Sequence, residues 1–329
     1  MINKNLKLAD ALFDASVEKK STRDGFGKGT VEAGKENPHV VVLCADLAES
    51  TRAEWFQKEF PTRFIEVGVA EQNLAALAAG FAAAGKVPFI ASYAAFSPGR
   101  NYEQIRTTAA LNHMPVKIAG MHAGVSVGPD GATHQMLEDI GLMRMLPNMT
   151  VIVPADAEEA RKAVVAAAKT SGPVYLRFGR SNVPVFTTPE TPFQIGKANL
   201  LWESAKPQVA LLATGSMSYN ALMAARALEA DGIGTIVFNM HTVKPLDEEA
   251  VLQAAKRAGR IVTIEEHQIA GGFGSAVAEY LSQAFPVPQL RLGLRDTFGQ
   301  SGEPDELIHY YNLDAVGIAG QTRRFLGKD

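Results

Sequence analysis

Short runs of β-branched and aliphatic residues alternate with alanine-rich stretches of helical period from residue 40 to about residue 180. Val40 to Leu43, Phe89 to Ala91, Val116 to Ala119, Thr150 to Val153 and Val174 to Phe178 predict strands. Asn73 to Ala84, Tyr102 to Ala110 and Ala157 to Lys169 predict helices between them, the last opened by Asp156 as its N-cap. Alternation of this kind is the signature of a parallel sheet covered by helices. Residues 182–196 break the pattern with Pro184, Pro189, Pro192 and paired threonines, which suits an extended surface crossing. It then resumes, with strands at Val209 to Ala213, Gly234 to Asn239 and Arg260 to Glu265, and helices at Ser218 to Ala230 and Asp247 to Ala258. The expectation is an α/β protein of two domains, residues 1–190 and 191–329, each a mainly parallel sheet flanked by helices.

One junction stands apart. In Arg63 to Asn73 an extended apolar segment turns into a helix, and Glu71 falls in the first turn. Leu74 to Gly85 is nearly all Ala, Leu, Gly and Phe, so the helix has almost no polar face and is expected to be buried. A carboxylate leading a buried helix requires a reason.

Charge and composition remove several classes of function. Thirty-two Lys and Arg against thirty-five Asp and Glu, with no basic run, offer no surface for nucleic acid or anionic membrane. No segment has the roughly 18 apolar residues of a membrane span, and the N-terminus lacks a signal-peptide core. The single cysteine, Cys44, lies in a strand pattern and reads as a packed core residue in a reducing compartment. A cytoplasmic protein with small polar or phosphorylated ligands is the expectation.

Candidate chemistry gathers in Gly120 to Gln135, directly after a predicted strand, where open α/β sheets bind their ligands. This glycine-rich loop holds His122, Ser126, Asp130, Thr133 and His134. Tyr93 and Phe96, three apart, are either core residues or a pair that stacks a flat heteroaromatic ring. Arg180, at the end of a strand, suits bidentate phosphate binding. Gly271-Gly272-Phe273-Gly274, before a helix at Ser275 to Ser282, has the form of a phosphate-cradling turn but reads more simply as tight strand-to-helix packing.

Three motifs occur together in order: Gly68-Val69-Ala70-Glu71-Gln72-Asn73, Gly128-Pro129-Asp130-Gly131-Ala132-Thr133-His134-Gln135, and Leu146-Pro147-Asn148-Met149 running to Pro154-Ala155-Asp156. With them the whole chain resembles the C-terminal half of transketolase, its pyrimidine-binding domain plus its C-terminal domain. The resemblance implies thiamine diphosphate as cofactor. Glu71 would be the acid on a ring nitrogen of the aminopyrimidine, which helps the cofactor form its reactive carbanion. Tyr93 and Phe96 would stack the pyrimidine, and Asp46 would adjoin the cofactor. His122 and His134, titrating near neutrality, would contact the substrate oxygens and shuttle protons. Asp130 would read a hydroxyl, and Arg23, Ser50 and Arg180 would clamp a sugar phosphate. Residues Ser97 to Arg100 depart from the family pattern, because an aromatic used by some members is missing.

The family holds the diphosphate and its Mg2+ with a Gly-Asp-Gly segment, using hard oxygen ligands. No Gly-Asp-Gly occurs in this sequence. The resemblance therefore implies one subunit of a split transketolase, whose partner chain carries the diphosphate and metal site, assembled as a heterotetramer. A deoxyxylulose-phosphate synthase or the β subunit of an oxo-acid dehydrogenase shares the two domains. A non-catalytic scaffold is the alternative of another kind, and would have no use for Glu71, both histidines and Asp130 together.

Overall fold

The structure, a computed structural model, describes residues 1–328. The five strands predicted in the first half are joined by Phe64–Glu66 and Thr242–Lys244 in one seven-stranded sheet, in the spatial order Thr242–Lys244, Thr150–Ile152, Val174–Arg177, Lys117–Met121, Val87–Tyr93, Val40–Cys44, Phe64–Glu66. Neighbours are parallel throughout, except that Thr242–Lys244 pairs antiparallel at one edge. Val40, Val42 and Cys44 face a core with Phe26, Phe56 and Phe89, while Val41 and Leu43 face another with Leu74, Ala78 and Ile90. Both faces are covered, so the strand reads as an unbroken apolar run rather than an alternation. Cys44 is packed within it, and burial pushes its thiol up to about 12.

The second sheet has the order Gln289–Leu294, Ile261–Gln268, Val209–Ala213, Thr235–Asn239, Asn199–Glu203, with only the last strand antiparallel. Two features cross the boundary expected at residue 190. Thr242–Lys244 leaves the second half to extend the first sheet. The N-terminus returns to the second, with the Asn3 amide donating to Leu201 O at 2.9 Å and with Leu6 and Leu12 in the core of Leu211 and Val237. Leu212 and Phe273 also share one cluster with Leu43 and Ile90, so the junction between the sheets is itself apolar core.

Three helices differ from expectation. Thr22–Glu36 was not predicted, because Gly25, Gly27, Gly29 and Gly34 read locally as breakers. Here tertiary packing overrides propensity. A Cβ on Gly25 would lie 2.2 Å from Ala157 O and one on Gly29 2.7 Å from Val164 Cβ, so these glycines let the helix seat directly on Ala157–Ala168. The helix expected over Tyr102 to Ala110 widens after its first turn, where the Leu111 amide reaches Arg106 O, five residues back. Glu71–Ala83 is only half buried. Leu74, Ala75, Ala78 and Ala82 face the sheet, whereas Ala76, Leu77 and Gly80 lie on an outer face that is apolar yet exposed.

Other local expectations find a physical cause. Asp156 caps Ala157–Ala168 by accepting from the amides of Glu158 and Glu159, and also accepts from Phe186 N and Thr187 N, which ties down the proline-rich crossing. The Gly271 to Gly274 turn is closed to phosphate. The Glu265 carboxylate already accepts from Phe273 N at 2.6 Å and Gly274 N at 2.8 Å, so tight packing is the correct reading.

Lys117 is fully buried in a central strand, where its Nζ donates to Thr170 O, Thr170 Oγ1 and Gly172 O at 2.7–2.9 Å. These acceptors are neutral, and burial pushes the amine down from 10.5 to about 7. Between those values the unfolded chain binds the proton that the folded chain has released, so this contribution makes stability rise with pH. Urea melts of wild type and Lys117→Met at several pH values should therefore show the wild type gaining on the variant from about pH 7 upward. A pH-independent difference would contradict that assignment.

Candidate active site

The carboxyl ends of the parallel strands bring the chemistry together. Tyr93 ends Val87–Tyr93, His122 follows Lys117–Met121, and Arg180 lies just past Val174–Arg177. Asp46 follows Val40–Cys44, and Glu71 opens the helix after Phe64–Glu66. Asp46 (φ 58°) and His122 (φ 55°) both adopt left-handed backbone, the kind of strain that clusters at functional sites.

Ser50 sits at the centre of a polar network. Its Oγ lies 2.7 Å from Tyr93 Oη and 3.5 Å from His122 Nε2, while its carbonyl accepts from Arg23 Nη1 at 2.8 Å. The Tyr93 ring stacks on His122 at 3.8 Å between centroids and lies 5.6 Å from Phe96. His134 approaches both aromatics edge-on, at 6.1 and 5.5 Å, and its Nδ1 pairs with Thr133 Oγ1 at 2.9 Å. Arg180 donates to Val127 O at 2.8 Å. Arg23 and Arg180 share a cavity of about 460 Å³ with Glu303 and Asp305 on its rim. An adjoining cavity of about 440 Å³ is lined by Arg23, Asp46, Ser50 and Arg52. A larger cavity, about 810 Å³, lies elsewhere at the domain junction, between Leu142, Met145, Ile269 and Phe298.

His122 departs from the expectation that it titrates near neutrality. Burial, then the guanidinium charges of Arg23 and Arg180, push it down to about 3, so the imidazole is neutral at physiological pH. Its Nδ1 is buried without a partner among the described residues. Tyr93 has one face against His122 and its hydroxyl on Ser50, which turns it toward the polar network. Asp46 and Asp130 are exposed and stand outside the network, Asp46 held by its own amide on Glu66 Oε1 at 2.7 Å.

Glu71 is 4% exposed and accepts from Arg100 Nη1 at 3.1 and 3.2 Å, one contact to each carboxylate oxygen. The Arg100 guanidinium also lies over the Phe96 ring, 4.1 Å from its centroid. Asn101 Nδ2 fixes this corner by donating to Glu71 O and Ser97 Oγ. Arg100, Asn101, Glu66 and Glu266 were not anticipated. The first had a signal, since it falls four residues after Phe96 in the one stretch that departs from the family pattern; Glu266 had none, because its target, the Ser126 amide at 2.6 Å, is 140 residues away.

These residues fit an aminopyrimidine: a buried carboxylate for a ring nitrogen, the Phe96 face beside it, and the unpartnered His122 Nδ1 in the adjoining cluster. Among the described residues no group of His, Cys, Asp and Glu is placed to hold a metal, and no helix is long and apolar enough to cross a membrane.

Comparison with known proteins identifies the family. Residues 18–185 match the model of the transketolase pyrimidine-binding domain, and residues 196–318 that of the transketolase C-terminal domain. A putative transketolase C-terminal section from Methanocaldococcus jannaschii is 42% identical, covering 94% of this chain and 98% of that protein. A 6-deoxy-6-sulfo-D-fructose transketolase subunit from Clostridium sp. is 40% identical, covering 93% and 94% respectively. A solved structure described as a split gene transketolase, inactive beta4 tetramer, superposes with a TM-score of 0.86 at 45% identity, covering 92% of this chain and 97% of the other. The chain therefore belongs to the transketolase family and corresponds to its pyrimidine-binding and C-terminal domains.

Proposed function

We propose that this chain is the C-terminal subunit of a thiamine-diphosphate-dependent transketolase, which moves a two-carbon ketol unit from a ketose phosphate to an aldose phosphate. The observation that carries this reading is the buried carboxylate of Glu71 beside an aromatic face, next to a network of Ser50, His122 and two arginines on the same sheet edge. When bound, the cofactor would supply the stabilised carbanion that accepts the ketol unit.

The chain's own residues divide the remaining work. Glu71 would hold a proton at the pyrimidine ring nitrogen. His122, neutral at physiological pH, would hydrogen-bond and orient a substrate hydroxyl through Nε2, because the burial and arginine charges that keep it neutral also make it a weak base. His134, edge-on to Tyr93 and Phe96, faces the same space. Arg23 and Arg180 would take the phosphate in their shared cavity, with Ser50 between them and the histidine. Asp46 would adjoin the cofactor and Asp130 would read a hydroxyl at the outer edge.

The diphosphate and Mg2+ would be held by a second, N-terminal polypeptide in a cytoplasmic heterotetramer. Support comes from the relatives named as a C-terminal section, a subunit and a split-gene product, and from the exposed apolar face of Glu71–Ala83. Leu77 is 38% exposed on this face, and Val69, two residues before the helix, is 70% exposed. Such a surface asks for a partner. Similarity to the sulfofructose enzyme's subunit favours a second reading for the donor, since the same arginines would accept a sulfonate in place of a phosphate.

Mixing the chain with its partner subunit, thiamine diphosphate and Mg2+ should yield ketol transfer from xylulose phosphate or, on the second reading, from the sulfofructose donor. Transfer from neither would sink the assignment. Glu71→Gln should fold and assemble normally yet lose about a hundredfold or more in kcat; near-normal turnover would remove the proposed role of the acid. Leu77→Glu should leave the melting temperature of the isolated chain within a few degrees, while its mixture with the partner subunit sediments as smaller species than the wild-type mixture. Unchanged assembly would place the interface elsewhere.

A further inference from the structure

We infer that Arg100 is a built-in plug of the pyrimidine half-site, a guanidinium that occupies both groups the aminopyrimidine needs and that must leave before the ring can be held. The inference rests on reading Glu71 and Phe96 as pyrimidine-binding residues.

A guanidinium is planar and cationic, and donates in its own plane while stacking through its face. Arg100 uses both capacities at once. Nη1 bonds both oxygens of Glu71 at 3.1 and 3.2 Å, while Cζ stands 4.1 Å above Phe96. A protonated aminopyrimidine would offer the same pair of interactions, a ring N–H to a carboxylate and a flat face to an aromatic. The two occupants exclude each other.

Burial makes the arrangement an exchange. Glu71 is 4% exposed and cannot turn to water, whereas the Arg100 side chain is 48% exposed and has solvent open to it. The backbone need not move. Asn101 pins Glu71 O and Ser97 Oγ from the following residue, and the Arg100 amide closes a turn on Phe96 O at 2.8 Å. Rotation of one long side chain clears the site. While Arg100 is in place it also keeps the buried carboxylate paired, since an unpaired one would be costly in this setting. The free subunit is thus stable in a form that rejects the ring, and cofactor binding must replace a charge-assisted hydrogen bond and a stacked cation before it gains its own.

The test uses the full chain and the free aminopyrimidine half of thiamine as probe, titrated by calorimetry and by NMR. Arg100→Gln should bind the probe about ten- to a hundredfold more tightly than wild type, the factor expected for removing one charge-assisted competitor. Adding Glu71→Gln to that variant should abolish the gain. Arg100→Lys, which keeps the charge without the planar fork, should fall between. Thermal melts establish that each variant is folded. Equal or weaker binding by Arg100→Gln, with binding still dependent on Glu71, overturns the plug and leaves the pyrimidine reading standing. Binding by neither protein, or binding indifferent to Glu71, removes the pyrimidine reading and the plug together.

Discussion

The site depends on a buried charge seam between the two sheets. Arg177 Nε bonds Asp139 Oδ2 at 2.8 Å, the Tyr175 hydroxyl bonds the same oxygen at 2.7 Å, and Arg177 Nη2 donates to Glu266 O in the second domain at 2.9 Å. The Glu266 carboxylate, whose pKa burial raises, returns across the junction to the Ser126 amide. Breaking such a pair by removing one partner costs about 3–5 kcal/mol, because the other charge is left buried alone. Arg177, Asp139 and Tyr175 pair within the first domain, while the Arg177 bond to Glu266 O and the Ser126 amide bond to the Glu266 carboxylate cross to the second, so these two directional bonds fix the relation of the domains more specifically than the continuous apolar core around them does.

What the seam positions is the loop from Gly120 to Gln135. Gln135 Nε2 holds Val125 O and Gln300 O, the Ala123 amide reaches Phe178 O, and Glu266 takes Ser126. A loop held from both domains can keep His122 at φ 55° and its ring flat on Tyr93. That rigidity explains the titration of His122. The imidazole cannot turn away from Arg23 and Arg180, so those charges add to burial and the ring stays neutral.

Much of the fold was legible because the central strands are buried on both faces and therefore carry their signal in composition alone. Edge elements were not. Asn199–Glu203 and Gln289–Leu294 are short and mixed in polarity, and Thr242–Lys244 belongs to the first sheet although it lies deep in the second half of the chain. The helix Thr22–Glu36 was hidden by its glycines, whose purpose appears only when Ala157 and Val164 are set against them. Residues of the site followed the same division. Tyr93, His122 and Arg180 were visible because they end or follow readable strands, whereas Glu66 and Glu266 act on backbone amides, which leaves no pattern in the sequence.

Glu71 is where both kinds of legibility meet. A carboxylate opening an apolar helix was conspicuous, and the expectation of burial held for the acid but not for the helix behind it. The outer face of that helix and the Arg100 ion pair are consequences of one geometry, an acid at the rim of its own domain. A side chain so placed can be completed in two ways: by a residue of its own chain reaching over from the next loop, or by groups brought from outside. Arg100 supplies the first and leaves the outer face bare. Only the second covers both, so on the proposed reading the chemistry of the acid would be tied to assembly rather than to folding.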